Sequence, residues 1–99
     1  MSAYVVVEIE VTEPTKYETY KQLAPASIRK YGGRYLVRAE PVETLEGKWY
    51  PKRFVILKFD SKQQAKAWWE SPEYREAKLL RQSCARTEMI CAQGTDDLA

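Results

Sequence analysis

A pair of adjacent glycines, Gly32 and Gly33, constrains the fold of this chain more than any other short stretch. Glycine readily adopts the positive φ angles that end a helix and turn the backbone. The sequence therefore predicts a helix that ends at Tyr31 and a strand that begins immediately after the glycines. Because side chains alternate between the two faces of a strand, one face should carry Arg34, Leu36 and Arg38.

The rest of the chain alternates between strand and helix patterns. Residues 4–11 carry a β-branched residue at every second position, which is typical of a strand with one buried face. The pattern over residues 14–31 is helical and opens on a proline, which suits the first turn. Pro25 predicts a kink or a short break near Ala24. Residues 53–59 are strongly apolar and form a predicted central strand.

Turn and capping signals divide the remaining segments. Residues 61–64 have the form of a capping box that opens a helix, and the Ser-Pro pair at 71–72 ends that helix and opens another. Residues 85–92 read as the last strand. Residues 42–45 are expected to continue the second strand past a bulge at Pro41, as one arm of a long hairpin.

The order of these elements is strand, helix, strand, strand, helix, strand. Right-handed crossovers over both helical regions produce a four-stranded antiparallel sheet with the helices on one face. The fold class is therefore α+β, in the ferredoxin-like βαββαβ arrangement. We expect a single domain over residues 1–94 and a frayed tail over residues 95–99.

Composition excludes several classes of function. The chain of 99 residues has a net charge of +2 without a basic stripe, so no nucleic-acid partner is expected. It contains no histidine, which excludes a histidine-ligated haem and argues against a zinc site. No metal and no cofactor are therefore expected. Glu8 and Glu10 follow a very short apolar run, which predicts neither a signal peptide nor a membrane span.

The two cysteines, Cys84 and Cys91, are separated by a predicted strand that would hold them too far apart to form a disulfide. Free thiols suit a reducing compartment, which predicts a cytoplasmic protein.

The sheet face without helices carries both apolar and charged residues, and we expect two copies to pack face to face as a homodimer. Glu8, Arg34 and Arg38 are the candidate residues of a small-molecule pocket between the sheets. Arginine binds carboxylates through two hydrogen bonds, and a desolvated Glu8 would be a candidate general base. The alternative is that these charges pair with each other across the dimer interface. The sequence leaves open which face residues 53–58 and 87–90 present.

The aromatic residues of the second helical region have two interpretations. Trp69 and Tyr74 could flank an opening to the pocket as ligand-binding residues, although their spacing suits core packing as well. Trp49, in a predicted turn, is expected to contact the second protomer.

Several motifs resemble the family known as domain of unknown function 1330. They are Tyr4-Val5-Val6-Val7-Glu8, Tyr31-Gly32-Gly33-Arg34-Tyr35-Leu36-Val37-Arg38, Leu45-Glu46-Gly47 with Trp49 and Pro51, and Ala67-Trp68 followed by Ser71-Pro72-Glu73-Tyr74. The resemblance implies a ferredoxin-like protomer within the dimeric α+β barrel superfamily. It implies no established reaction. Related superfamily members include cofactor-free monooxygenases, lactone isomerases and haem-handling proteins.

Two functions follow as expectations. The first is binding of a small organic molecule, anionic or aromatic, between the sheet faces, with cofactor-independent monooxygenase-like or isomerase-like chemistry as its catalytic form. The second is a structural or regulatory homodimer without catalytic activity.

Overall fold

Seven elements follow one another in the computed structural model, which describes residues 1–95. They are β1 (Ala3–Val11), α1 (Pro14–Lys30), β2 (Arg34–Arg38), β3 (Arg53–Phe59), α2 (Lys62–Glu70), α3 (Pro72–Cys84) and β4 (Ala85–Gln93). The four strands form one antiparallel sheet in the order β2-β3-β1-β4. This confirms the ferredoxin-like α+β fold. The predicted tail lies, from residue 96 onward, outside the described residues.

The core lies between the helices and one face of the sheet. Val5, Val7 and Ile9 of β1 are each 3% exposed, as their alternation predicts. Against them packs an aromatic stack in which the ring of Trp68 lies 5.5 Å from that of Phe59 and 4.2 Å from that of Tyr74. Burial of such large apolar surfaces is the main stabilising contribution to a domain of this size.

Two serines begin the last two helices, as the sequence predicts. Ser61 Oγ accepts a hydrogen bond from the backbone N–H of Gln64 at 3.0 Å. Ser71 Oγ accepts from the backbone N–H of Tyr74 at 3.1 Å. Each bond satisfies a donor that the first helical turn leaves free.

The two glycines have different physical roles. Gly32 takes a positive φ of 79°, as the end of a helix favours. Gly33 does not, but a Cβ atom there would lie 2.5 Å from Cε1 of Phe59. The second glycine is therefore required by close packing rather than by backbone conformation.

A β-bulge in β2 moves Arg38 away from its predicted face. The register of β2 against β3 shifts between Tyr35 and Val37, so Arg38 pairs with Val55, a buried residue of the helix-covered face. Arg34 precedes the bulge and keeps its place on the open face. The prediction that both arginines share a face is wrong, because one inserted residue reverses the alternation.

Helix α1 continues through Pro25 without the predicted break near Ala24. Proline has no N–H to donate to the carbonyl of Lys21, four residues earlier. Arg38 Nη2 donates to that carbonyl oxygen at 3.1 Å. The side chain redirected by the bulge therefore satisfies the acceptor that the proline leaves free.

The segment between β2 and β3, residues 39–52, contains neither helix nor strand. The strand predicted at residues 42–45 does not form, and β2 ends at Arg38. Ala39 follows with a positive φ of 63°, which turns the chain out of the sheet.

Candidate functional site

The register settles which side chains share the open face of the sheet. Val6 of β1 pairs with Ile56 of β3 and with Ile90 of β4. Since residues directly opposite each other share a face, the open face carries Val6, Glu8, Glu10, Phe54, Ile56, Lys58, Arg86, Glu88 and Ile90.

Glu8 lies beneath the loop that joins β2 to β3. It pairs with Phe54 on one side and with Glu88 on the other. Trp49 Nε1 donates to Glu8 Oε2 at 3.3 Å, and its ring meets that of Phe54 edge-on at 6.0 Å between centroids. Trp49 is nevertheless 61% exposed. The loop therefore folds onto the open face and leaves most of the indole uncovered.

The charges beside Glu8 form ion pairs within this chain. Glu10 lies 2.9 Å from Lys52 Nζ and 3.4 Å from Arg86 Nη1. The hydrogen bond and charge of Lys52, followed by the charge of Arg86, lower the pKa of Glu10. These groups, with Glu8 and Glu88, border an open hollow of about 350 Å³.

The predicted grouping of Glu8 with two arginines does not form within a single chain. Glu8 is level with Phe54 of β3 and Arg34 is level with Lys58. The positions of Glu8 and Arg34 are therefore about 13 Å apart in the strand direction and about 10 Å apart perpendicular to the strands. Arg38 lies on the other face. Binding of a ligand by Glu8 or Arg34 stays a prediction for an assembled dimer.

A larger cleft lies on the helix side, where α2 and α3 meet the edge strand β4. Its volume is about 660 Å³. The residues that decide its chemistry are Trp68, Trp69, Arg81, Thr87, Met89 and Cys91.

Arg81 is the buried charge of this cleft. It is 4% exposed, and its Nε donates to Tyr74 Oη at 3.3 Å. The Tyr74 hydroxyl is in turn hydrogen-bonded to that of Tyr20 at 2.9 Å. Burial and the Tyr74 hydroxyl raise the pKa of Tyr20 well above its usual value, so the Tyr20 hydroxyl keeps its proton. Within residues 1–95, no carboxylate forms an ion pair with Arg81.

The two aromatic ligand-binding candidates, Trp69 and Tyr74, differ in their position relative to this cleft. Tyr74 is completely buried in the core, as the packing interpretation predicts. Trp69 is 41% exposed on the cleft wall, with Lys78 Nζ 3.7 Å from its ring centroid. Trp69 therefore lines the cleft, whereas Tyr74 does not line it and contacts Arg81 through its hydroxyl.

A smaller space, here named the inner cavity, lies between α1 and the sheet and adjoins the cleft. Its volume is about 30 Å³, and Trp68 and Met89 border both spaces. The polar residues that line it are Tyr17, Tyr20, Lys21, Tyr35, Arg38 and Arg53.

The sequence interpretation missed Arg81, although a signal was present. Tyr74, Ala77 and Cys84 are buried on one face of α3, and Arg81 falls in the same helical register. A charged residue within an apolar stripe must form an ion pair, form hydrogen bonds or take part in a binding site. That pattern marks Arg81 without any knowledge of the cleft.

No group of three or more acidic or cysteine side chains within residues 1–95 is arranged to hold a metal ion. None of the described helices has the length and hydropathy needed to cross a membrane.

A family model for a domain of unknown function, DUF1330, matches residues 2–95. The chain belongs to the DUF1330 family. No curated protein sequence matches this DUF1330 protein.

Solved structures share the fold of this DUF1330 protein at low sequence identity. A protein of unknown function from Rhodopseudomonas palustris has a TM-score of 0.77 at 15% identity, over 96% of this chain and 83% of that one. A dimeric ferredoxin-like protein of unknown function from Jannaschia sp. CCS1 has a TM-score of 0.69 at 15% identity, over 95% and 100%. SnoaB, a cofactor-independent oxygenase from Streptomyces nogalater, has a TM-score of 0.63 at 10% identity, over 98% and 96%. These likenesses extend to the fold alone.

Proposed function

We propose that this protein is a homodimer that binds a small organic molecule, aromatic and anionic, in the cleft between α2, α3 and β4. One observation carries the proposal. Arg81 borders a cleft of about 660 Å³ while it is 4% exposed and has no carboxylate partner within residues 1–95. A buried cation is costly unless an anion compensates it, and a bound ligand would supply that anion.

The size and walls of the cleft favour an aromatic ligand. Sites for small molecules usually have volumes of roughly 300–1,000 Å³, with apolar walls and a few polar groups. Here Trp68, Trp69 and Met89 supply flat or flexible apolar surface, and Arg81 supplies the polar group. This site lies on the helix side of each protomer, not between the two sheets.

The other charges of the cleft do not replace such a ligand. Lys66, Glu70 and Glu88 line it but are exposed, so water solvates them. Solvated charges interact weakly with one another and with buried groups. Arg81 is therefore the charge for which an anionic ligand would make the largest difference.

The open face supports the homodimer. Its centre carries Val6, Ile56 and Ile90, and Ile90 is 64% exposed. Trp49, on the loop that crosses this face, is 61% exposed. A second copy packed on this face would bury these groups in a closed two-fold interface.

Turnover of the bound molecule is the catalytic form of the same proposal. SnoaB is described as a cofactor-independent oxygenase, and the turnover proposed here would begin from the anionic form of the bound substrate. A buried arginine would stabilise that anion. Glu8 does not border the cleft, so its proposed role as a general base applies only to a molecule held against the open face.

The free thiols of Cys84 and Cys91 favour a reducing compartment such as the cytoplasm.

The proposal is tested first by native mass spectrometry of the purified protein. We expect a dimer that carries added mass of a small organic molecule. We also expect Arg81→Gln to lose that mass and to bind benzoate at least about tenfold more weakly than wild type, since a charge-assisted hydrogen bond is removed.

Arg75→Gln is the matched control, because Arg75 lies exposed on the same helix. It should behave as wild type. If Arg81→Gln does not fold, Arg81→Lys keeps the charge while it removes the planar fork. The proposal is wrong if a folded Arg81 variant retains the added mass and the wild-type affinity.

A further inference from the structure

Arg53, at the start of β3, has a buried donor without a partner. Its Nε atom is buried and makes no hydrogen bond within the described structure. Its guanidinium carbon lies 5.2 Å from the centroid of the Tyr17 ring. Within residues 1–95 it forms no ion pair. A buried donor left unsatisfied is costly, so this position favours a group that can accept a hydrogen bond from it.

A second unsatisfied group lies at the same level of the sheet. Arg53 pairs with Ile9 from one side and Thr87 pairs with Ile9 from the other. Thr87 Oγ1 is also buried without a hydrogen-bond partner. The two side chains are therefore on the helix-covered face, about 10 Å apart at the backbone.

These two groups belong to adjoining spaces. Thr87 borders the large cleft and Arg53 borders the small inner cavity. Trp68 and Met89 border both, so they form the wall between them. Methionine is the most adaptable apolar side chain, so Met89 is the part of this wall that can move most easily.

The inner cavity has the size and charge for one anionic group. Its volume of about 30 Å³ is enough for one or two water-sized groups. A carboxylate group has a similar size. Tyr17 and Tyr20 also line this space, and each carries a hydroxyl that can donate a hydrogen bond. Burial raises the pKa of Tyr17, against the opposing charges of Arg53 and Arg81, so its hydroxyl keeps its proton.

We propose that the inner cavity is a second anion subsite and that the ligand of this protein carries two anionic groups. One group binds at Arg81 in the cleft, and the other passes Met89 and accepts hydrogen bonds from Arg53. The substrate class is an aromatic dianion, of which an aromatic dicarboxylate is the simplest example. This inference rests on the proposed function, because it deepens the chemistry of the same cleft.

The test compares aromatic acids that differ in one carboxylate. Binding of benzoate and of the three benzenedicarboxylates is measured by calorimetry on wild type, Arg53→Gln, Arg81→Gln and the control Arg75→Gln. We expect at least one dicarboxylate to bind about tenfold or more tightly than benzoate. Arg53→Gln should abolish that preference because it lowers dicarboxylate affinity more than benzoate affinity, and Arg81→Gln should weaken the binding of both. Arg53→Lys, which keeps the charge but lacks Nε, is the second variant if Arg53→Gln does not fold.

The two proposals fail in different ways. If benzoate and the dicarboxylates bind equally and only Arg81→Gln weakens them, the second subsite is wrong and the cleft proposal stands. If no aromatic acid binds the wild type, the cleft proposal fails and the second subsite fails with it.

Discussion

Arg38 donates from Nη2 to the carbonyl oxygen of Lys21 at 3.1 Å, and this bond links β2 to the middle of α1. The Lys21 carbonyl is free because Pro25, four residues later, has no N–H. Arg38 reaches it only because the bulge in β2 turns its side chain to the helix face. Arg38 also stacks on the ring of Tyr35, 4.4 Å from its centroid. These contacts give Arg38 a structural role.

A double-mutant cycle tests this role. Arg38→Met should lower the free energy of unfolding by about 1 kcal/mol, the usual net value of a hydrogen bond. In a Pro25→Ala background the alanine N–H takes the Lys21 carbonyl, so the same change should cost less. Urea denaturation of the four proteins measures the coupling. An equal cost in both backgrounds would show that Arg38 does not act through the proline.

The close approach of Gly33 to Phe59 leads to a second prediction. A methyl group at Gly33 would lie 2.5 Å from one ring carbon of Phe59 and 2.9 Å from Cγ2 of Ile28. We expect Gly33→Ala to lower the free energy of unfolding by about 1–3 kcal/mol through overpacking. The cost should shrink when Phe59→Leu is also present, because the smaller side chain removes the clash. Thermal melts of the two single variants and the double variant provide the check. The prediction is wrong if the loss of stability in the double variant equals the sum of the losses in the single variants.

The Tyr74 hydroxyl leads to a third prediction. Tyr74→Phe leaves Arg81 Nε and the Tyr20 hydroxyl without a shared partner. The free energy of unfolding should therefore fall by about 1–3 kcal/mol. Tyr50→Phe is the matched control, since Tyr50 is 63% exposed and should change nothing. Chemical denaturation with equal midpoints for the two variants would contradict the role of this buried network.

Glu73 gives the protein a pH dependence in acid. Lys30 Nζ lies 2.9 Å from Oε2 and the Tyr31 hydroxyl donates to Oε1 at 2.8 Å. Together they lower the pKa of Glu73 from 4.5 to about 2. A carboxyl with a depressed pKa stabilises the fold above its unfolded pKa, and that stabilisation is lost as pH falls through the folded pKa.

Wild type and Glu73→Gln should therefore differ most in stability above about pH 5, and the difference should shrink between pH 4.5 and 2. Urea midpoints measured across pH 2–7 provide the check. A difference that does not depend on pH would assign the effect of the substitution to something other than this ion pair.

The proposed dimer is tested at the centre of the open face. Ile56→Glu should convert the dimer to a monomer in light scattering, because a carboxylate would be buried without a partner in the interface. Ile56 does not border the cleft, so benzoate binding by the monomer separates the two proposals. Leu79→Glu is the control, since Leu79 is 52% exposed on α3 and should leave the dimer intact. A dimer that survives Ile56→Glu must use another surface.

The local patterns of the chain were sufficient to predict its fold. Three local signals appear where the sequence predicts them, and each acts over only a few residues. They are the strict alternation in residues 4–11, the serine caps at 61 and 71, and the glycines after α1. Hydrophobic periodicity and capping depend on neighbours in the chain, so they can be read without knowledge of the rest of the molecule.

The sites depended on contacts that the sequence does not show. One inserted residue in β2 places Arg38 on the opposite face of the sheet. The pairing of β2 with β3 decides where this inserted residue lies. The cleft joins Trp69 of α2, Arg81 of α3 and Met89 of β4, which are brought together only when the helices pack on the sheet. By itself, the sequence determined the order and type of the elements, because these follow from local propensity. Only the tertiary structure decided which charges meet, because register and helix packing place side chains that are distant in the chain.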